Sequence, residues 1–172
     1  MANVYLDGTL SIDREDYPEL IQLTAWKGQE ASLSKFVKAK LDIRLADAGN
    51  SSAYDDVTCM SIGPNRWLVA GEGVMELAEG FDESLGTYLD LSSARTLFRL
   101  RGDNLPWLLN KGTAVDFTKA VDGACIMTTI DHVGVLLHKI AVDAYNLYVF
   151  SSFSDTIARW LHVSSADQRY ES

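Results

Sequence analysis

Cysteine and long apolar runs are scarce in this sequence, and each scarcity excludes a class of protein. The two cysteines, Cys59 and Cys125, are too few for a disulfide framework and lack the spacing of a C-x-x-C motif. No stretch approaches the roughly 20 consecutive apolar residues that a membrane-spanning helix needs. The N-terminus lacks a basic patch followed by an apolar core, so no secretory signal is expected. These absences predict a reduced, cytoplasmic protein.

Basic residues are also in short supply. The 172 residues include 15 Lys and Arg against 24 Asp and Glu, which gives a formal net charge of −9. A nucleic-acid binder needs a cationic surface that displaces counterions from phosphate, and an anionic membrane attracts the same charge. We therefore expect neither nucleic acid nor membrane among the partners. With 47% hydrophobic residues, a chain of this length can fill one core or two closely packed halves.

One pattern of elements occurs twice along the chain. A strand leading to Gly28, a helix and a strand hairpin that contains Trp67 fill the first half. A strand leading to Gly102, a helix and a hairpin that contains Leu147 fill the second. Apolar residues at steps of three and four mark the helices, and alternation marks the strands. The sequence therefore predicts a duplicated α+β unit that forms one compact domain.

The boundaries follow from the same patterns. Residues 1–19 are rich in acid and predict an extended N-terminal arm. The domain itself is expected at 20–163, with halves at about 20–91 and 95–163, and residues 164–172 are expected to form a polar tail. Residues 46–56 are polar and rich in turn formers, which predicts a loop.

Five segments, taken in order, resemble motifs of the sarcosine oxidase gamma subunit family. They are the glycine-proline-x-x-tryptophan-leucine hairpin at 63–68, the aspartate-x-serine motif at 90–92, the leucine-x-lysine-glycine-x-x-x-aspartate stretch at 109–116, the threonine-led hairpin strand at 128–137 and the tryptophan-leucine pair at 160–161. Each motif alone is weak evidence for the family. The ordered set covers roughly residues 20–162 and agrees with the predicted order of strands and helices.

The resemblance implies a fold like that of the folate-binding aminomethyltransferases, with two pseudo-repeated ferredoxin-like halves. It also implies larger partner subunits, alpha, beta and delta, which carry FAD, FMN, NAD and the tetrahydrofolate site. Those subunits oxidise sarcosine to glycine and pass the one-carbon unit to tetrahydrofolate. The resemblance assigns no cofactor, metal or catalytic residue to the gamma subunit. A similar small subunit occurs in related N-methylamino-acid dehydrogenases.

Three arginines and one tryptophan are the candidates for contact with a partner or an anion. Arg95, Arg99 and Arg101 alternate along a predicted strand and so share one face. Guanidinium groups form bidentate pairs with carboxylates, so this face fits an acidic partner surface. The alternative, which we favour, is a solvated sheet face with local acidic partners. Trp107, next to Pro106, is the tryptophan most suited to an interface.

Catalytic and metal-binding interpretations are weaker. Asp131 is a single acid where an aminomethyltransferase would use a carboxylate pair, and a lone Asp before a strand is typical of a turn. His132 and His138 are six residues apart on a predicted strand and could share a face, but a metal site needs three or four ligands. Cys125 fits a small buried hydrophobic residue.

Three hypotheses remain. The first is a non-catalytic subunit of a flavin-dependent sarcosine oxidase or a related amine-oxidising complex. The second is a stand-alone folate or one-carbon binder that uses a cleft between the halves. The third is an enzyme that transfers an aminomethyl group by itself with Asp131 as the acid.

Overall fold

The computed structural model describes residues 2–7, 10–16 and 18–166, and the first of these ranges only by its backbone. The strands are β1 (Ala2–Asp7), β2 (Leu10–Asp16), β3 (Leu20–Ala25), β4 (Ser51–Tyr54), β5 (Val57–Gly63), β6 (Arg66–Ala70), β7 (Gly86–Asp90), β8 (Arg95–Gly102), β9 (Cys125–Ile130), β10 (Val133–Ala141) and β11 (Ala144–Phe150). The α-helices are α1 (Glu30–Leu41), α2 (Leu105–Asn110) and α3 (Ser154–Ala166), and 3-10 helices lie at Val74–Ala78, Phe117–Lys119 and Ser151–Phe153.

The chain divides into two compact units. The middle unit is Tyr17–Ser93, and the terminal unit combines Met1–Asp16 with Ala94–Ser172. Each unit contains one antiparallel sheet with helices packed on it. The fold is therefore α+β, as the sequence predicts.

The middle unit follows the strand–helix–hairpin–helix–strand order of a ferredoxin-like unit. Its sheet has the order β4-β5-β6-β3-β7, with a 3-10 helix at Val74–Ala78 in place of the second α-helix. Asn65, with φ 54°, turns the chain between β5 and β6 as the glycine-proline-asparagine hairpin predicts. The indole Nε1 of Trp67 donates a hydrogen bond to the carbonyl oxygen of Ala46 at 2.8 Å, which ties β6 to the segment after α1.

Residues 46–56 are more ordered than their composition predicts. Four of them, Ser51–Tyr54, form β4 and pair with β5 around a turn at Asp55, whose φ is 50°. The prediction of a loop throughout was wrong, because the polar side chains of β4 lie on an exposed edge strand, where alternation with apolar residues is not required.

The terminal unit obtains β2, the strand that lies beside β8, from the N-terminal hairpin. Its sheet has the order β1-β2-β8-β11-β10-β9, and β2 pairs with β8 in an antiparallel register that places Asp13 opposite Arg99. In the middle unit the corresponding place beside β3 is filled by β7, the strand that closes that unit. The N-terminal hairpin thus completes the second ferredoxin-like half.

The prediction of a separate arm at 1–19 was therefore wrong for β1 and β2. The apolar residues Leu10 and Ile12 are buried on one side of β2, while acids occupy the other side and dominate the composition. At the other terminus, residues 164–166 belong to α3 rather than to a tail, and residues 167–172 lie outside the described part of the chain.

Each unit has its own apolar core. In the middle unit the buried cluster is Ile21, Leu23, Ala25, Leu33, Val37, Ile43, Ala46, Val57, Cys59, Trp67, Val69, Val74 and Leu77. In the terminal unit it is Leu10, Ile12, Phe98, Leu100, Leu105, Leu108, Leu109, Phe117, Ile130, Val133, Val135, Leu137, Tyr145, Leu147, Val149, Ile157 and Leu161. Burial of this much apolar surface is the main force that holds each sheet to its helices.

Candidate functional site

The three arginines of β8 lie on the face of the strand opposite Phe98 and Leu100, whose side chains belong to the core. Successive side chains of a strand point to opposite faces, so the odd-numbered positions share one face as predicted. Their environments nevertheless differ.

Arg95 is almost completely buried, with 8% of its surface exposed. Its guanidinium carbon lies 3.6 Å from the centre of the Phe150 ring, a cation–π contact with the residue opposite it on β11. Burial lowers the pKa of the Arg95 guanidinium below its usual value. The interpretation of this face as solvated was wrong for Arg95, because the side chain packs against an aromatic neighbour instead of extending into water.

Arg99 and Arg101 have partners within the terminal unit. The Nη2 atom of Arg99 lies 2.7 Å from the Oε2 atom of Glu15, a partly exposed ion pair between β8 and β2. Arg101 donates a hydrogen bond to the carbonyl oxygen of Leu100 at 2.9 Å. Arg99 thus has the local acidic partner that the favoured alternative predicts, and anion binding by these arginines stays a prediction.

Trp107 lines a pocket of about 470 Å³ in the terminal unit. The lining residues are Gly102, Asp103, Asn104, Pro106, Trp107, Asn110, Thr118, Val142 and Asp143. The ammonium group of Lys111 already lies 3.6 Å from the centre of the Trp107 ring. The ring is partly buried, and one of its faces already contacts this cation of the same chain.

Asp131 and His132 form the tight turn between β9 and β10. Both have positive φ angles, 46° and 67°, which is the conformation of a two-residue hairpin turn. They line a pocket of about 320 Å³ together with Lys111, Gly112, Thr113, Ala114, Thr129 and Trp160. Asp131 is therefore a turn residue, as a lone Asp before a strand indicates.

The two histidines do not share a strand face. His132 is exposed in the turn, whereas His138 is buried within β10, and burial lowers the pKa of its imidazole to about 4. The two histidines, which the sequence allowed to share a face, do not do so because β10 starts only after His132. Within the described residues, no group of three or more His, Cys, Asp or Glu side chains is arranged to hold a metal ion.

The cysteines are both buried and free of disulfide bonds. Burial raises the pKa of the Cys59 thiol to about 11, so this side chain stays protonated at neutral pH. A protonated buried thiol is a poor nucleophile. Cys125 is buried as a small hydrophobic residue, as the sequence predicts.

An aromatic pocket in the middle unit was not predicted. Trp26, Phe81 and Tyr88 line a pocket of about 550 Å³ together with Ala78, Glu83, Gly86 and Thr87. The sequence contains two signals of it: a tryptophan directly before the Lys27-Gly28 turn, and a stretch from Trp67 to Ala94 without any basic residue. Neither signal brings the three aromatic residues together without knowledge of the sheet order.

Comparison with known proteins gives three findings. A curated sarcosine oxidase subunit gamma from Corynebacterium sp. (strain P-1) is 29% identical over 117 residues, which is 64% of this chain and 58% of that protein. A chain of the heterotetrameric sarcosine oxidase from Corynebacterium sp. U-96, solved in complex with pyrrole 2-carboxylate, superimposes with a TM-score of 0.80 at 20% identity, covering 95% of this chain and 88% of that one. Aminomethyltransferase T of the glycine cleavage system from Bartonella henselae matches with a TM-score of 0.62 at 14% identity, over 89% of this chain and 45% of that one.

These comparisons confirm the resemblance to sarcosine oxidase gamma subunits and the aminomethyltransferase-like fold. No protein-family model matches the chain. The curated match spans little more than half of its relative's length. None of the described helices is long and apolar enough to cross a membrane.

Proposed function

We propose that this chain is the small gamma subunit of a heterotetrameric, flavin-dependent sarcosine oxidase. The observation that carries the proposal is the structural match at a TM-score of 0.80, which covers 95% of this chain and 88% of a chain from such an oxidase. The sequence match to a curated gamma subunit supports it independently.

In this proposal the chain supports the chemistry without performing it. The alpha, beta and delta subunits hold FAD, FMN, NAD and tetrahydrofolate, and they convert sarcosine to glycine while the one-carbon unit passes to tetrahydrofolate. Two groups that could act in catalysis have structural roles instead. Asp131 forms a hairpin turn, and Cys59 is a buried, protonated thiol. Arg99 is neutralised by Glu15.

Co-expression tests this proposal. The chain is produced alone and together with candidate large flavoprotein subunits from the same genome, and each product is purified through a tag on this chain. We expect the chain alone to show neither flavin absorbance nor peroxide formation with sarcosine. The co-expressed product is expected to contain the larger subunits and to oxidise sarcosine. A chain that never associates with them, or that oxidises sarcosine alone, contradicts the proposal.

A folate-binding module is the second candidate, and the likeness to aminomethyltransferase T favours it. Calorimetric titration of the isolated chain with tetrahydrofolate separates it from the first. A flat titration removes it. If the isolated chain transfers an aminomethyl group, Asp131→Asn must abolish the turnover, and unchanged turnover removes Asp131 as the acid. Turnover of sarcosine compared with other N-methylamino acids identifies the substrate of the complex, and peroxide formation from oxygen distinguishes an oxidase from a related dehydrogenase.

A further inference from the structure

The aromatic pocket of the middle unit, here named the Trp26 pocket, combines a large exposed ring with a fixed position. Trp26 is 49% exposed, although tryptophan is a residue that folding usually buries. Its indole Nε1 donates a hydrogen bond to the carbonyl oxygen of Glu83 at 2.8 Å, and its backbone N–H donates to the carbonyl oxygen of Leu85 at 3.0 Å. The ring is therefore held in place before any partner arrives.

The other aromatic residues of the Trp26 pocket support one another. The Phe81 and Tyr88 rings have centroids 5.9 Å apart, and Phe81 meets Phe36 edge to face at 5.7 Å. The Tyr88 hydroxyl lies 3.7 Å from the sulfur atom of Met75. A pocket whose walls are already packed requires little reordering on binding, and that reduces the entropic cost of association.

Acids dominate the charge around the Trp26 pocket, although Lys27 follows Trp26 directly in the chain. From Trp67 to Ala94 the chain contains six acids and no Lys, Arg or His; the acids are Glu72, Glu76, Glu79, Asp82, Glu83 and Asp90. Glu83 itself lines the pocket. Aromatic faces carry partial negative charge and attract cations, and nearby carboxylates add to that attraction. The chemistry of the pocket therefore fits a cation attached to an apolar stem.

The Trp26 pocket opens beside an edge strand, which favours a polypeptide over a free amine. β7 pairs with β3 and, within the described residues, lies at the end of its sheet. Thr87 and Tyr88 of β7 line the pocket. An edge strand offers backbone donors and acceptors to an extended segment, while a neighbouring pocket receives one of its side chains.

We propose that the Trp26 pocket receives a Lys or Arg side chain from an extended segment of a larger subunit that lies along β7. This inference rests on the proposed function, because it assigns a surface of this chain to the assembly with its partners. Trp107 is less suited to the same role, since Lys111 of this chain already occupies its ring.

Association with the co-expressed larger subunits tests the inference. We expect Trp26→Ala to weaken the association about tenfold or more, which is the effect of a hot-spot aromatic residue. Tyr54→Ala is the matched control, because Tyr54 is 52% exposed on β4 at the opposite edge of the same sheet. It is expected to change the affinity less than twofold.

Glu83→Gln keeps the test valid if Trp26→Ala does not fold. This substitution removes the charge of the exposed Glu83 side chain, and it keeps the backbone carbonyl that accepts the hydrogen bond from the Trp26 indole. We expect weaker association and a smaller decrease of affinity with added salt than in the unchanged chain. Equal affinities and equal salt dependence for the unchanged chain, Trp26→Ala and Glu83→Gln would overturn the inference and leave the proposed function intact.

If the unchanged chain does not associate with the larger subunits, the proposed function is removed. A second measurement then tests the Trp26 pocket by itself. The indole N–H resonance of Trp26, assigned with Trp26→Phe, is followed by NMR during titration with acetyl-Leu-Arg-Leu-amide. The same peptide with citrulline in place of arginine is isosteric and uncharged. A shift with the arginine peptide that the citrulline peptide does not produce supports a cation pocket. Equal shifts, or none with either peptide, overturn it.

Discussion

Gly112 lies directly against the indole ring of Trp160. A Cβ atom on Gly112 would overlap the Cζ2 atom of Trp160 and come within 2.9 Å of the Cγ2 atom of Ile130. The segment after α2 and the helix α3 therefore approach each other so closely that position 112 has no room for a side chain.

Gly112→Ala is expected to lower the free energy of unfolding by about 1–3 kcal/mol, because overpacking forces the ring or the backbone to move. In a Trp160→Phe background the same substitution should cost less, since the smaller ring leaves room, and a double-mutant cycle in urea measures the difference. Gly134→Ala is the control, because a Cβ there meets nothing within 4 Å. Equal costs in both backgrounds would contradict the contact.

Ile12→Ala tests whether the N-terminal hairpin belongs to the core of the terminal unit. Ile12 is fully buried on β2 next to Phe98 and Leu100, so its truncation is expected to cost about 2–5 kcal/mol in urea unfolding. The neighbouring Ser11→Ala, on the other side of the strand, is expected to cost less than about 1 kcal/mol. If the hairpin were not part of the core, the two substitutions would lower the free energy of unfolding by similar amounts.

Arg95→Met separates the packing of the Arg95 side chain from its charge. Methionine keeps the apolar stem on the Phe150 ring and removes a buried cation, so the unfolding free energy is expected to stay equal or rise by about 1 kcal/mol. Arg95→Ala loses the packing and is expected to lower it by about 2 kcal/mol. A loss with methionine as large as that with alanine would show that the charge itself stabilises the fold.

His138 is expected to make the fold less stable as the pH decreases. Burial lowers the pKa of its imidazole to about 4, whereas in the unfolded chain the group titrates near about 6.5. The unfolded chain therefore binds the extra proton between these values, and stability that is complete above pH 6.5 is lost as the pH falls toward 4.

The change between pH 7 and pH 5 is expected to be about 2 kcal/mol for this one group. Urea unfolding of the unchanged chain and of His138→Gln at both pH values isolates it, since all other titrating groups are shared. The pH dependence should be smaller in the variant by that amount. An identical pH dependence in both proteins would mean that His138 titrates alike in the folded and unfolded chain.

The sequence predicts the repeated part of the fold because each element carries a local signal. The hairpin at Gly63, Pro64 and Asn65 and the buried stripe of α2 depend on neighbours within a few residues. Glycine shortly after a helix commonly ends it through its backbone freedom. In the structure the helix ends at Asn110, and Gly112 is required by its contact with Trp160, which no local pattern contains.

The candidate site was less predictable, since it depends on contacts between distant segments. Arg95 looks like an exposed arginine in a charged strand, and only the register with β11 places it on Phe150. Trp26 becomes part of a pocket only because β7 pairs with β3 and brings Tyr88 close to it. Side-chain alternation specifies which face a residue occupies, but not what lies opposite that face.

The pairing of β2 with β8 also has a consequence for synthesis on the ribosome. Glu15 and Arg99, the ion pair between these strands, are 84 residues apart in the chain. The first hairpin leaves the exit tunnel long before its neighbour is translated, and it must wait while the whole middle unit emerges and folds from contacts within Leu20–Asp90. β1 and β2 are therefore made before the middle unit, whereas the sheet to which they belong is completed after it.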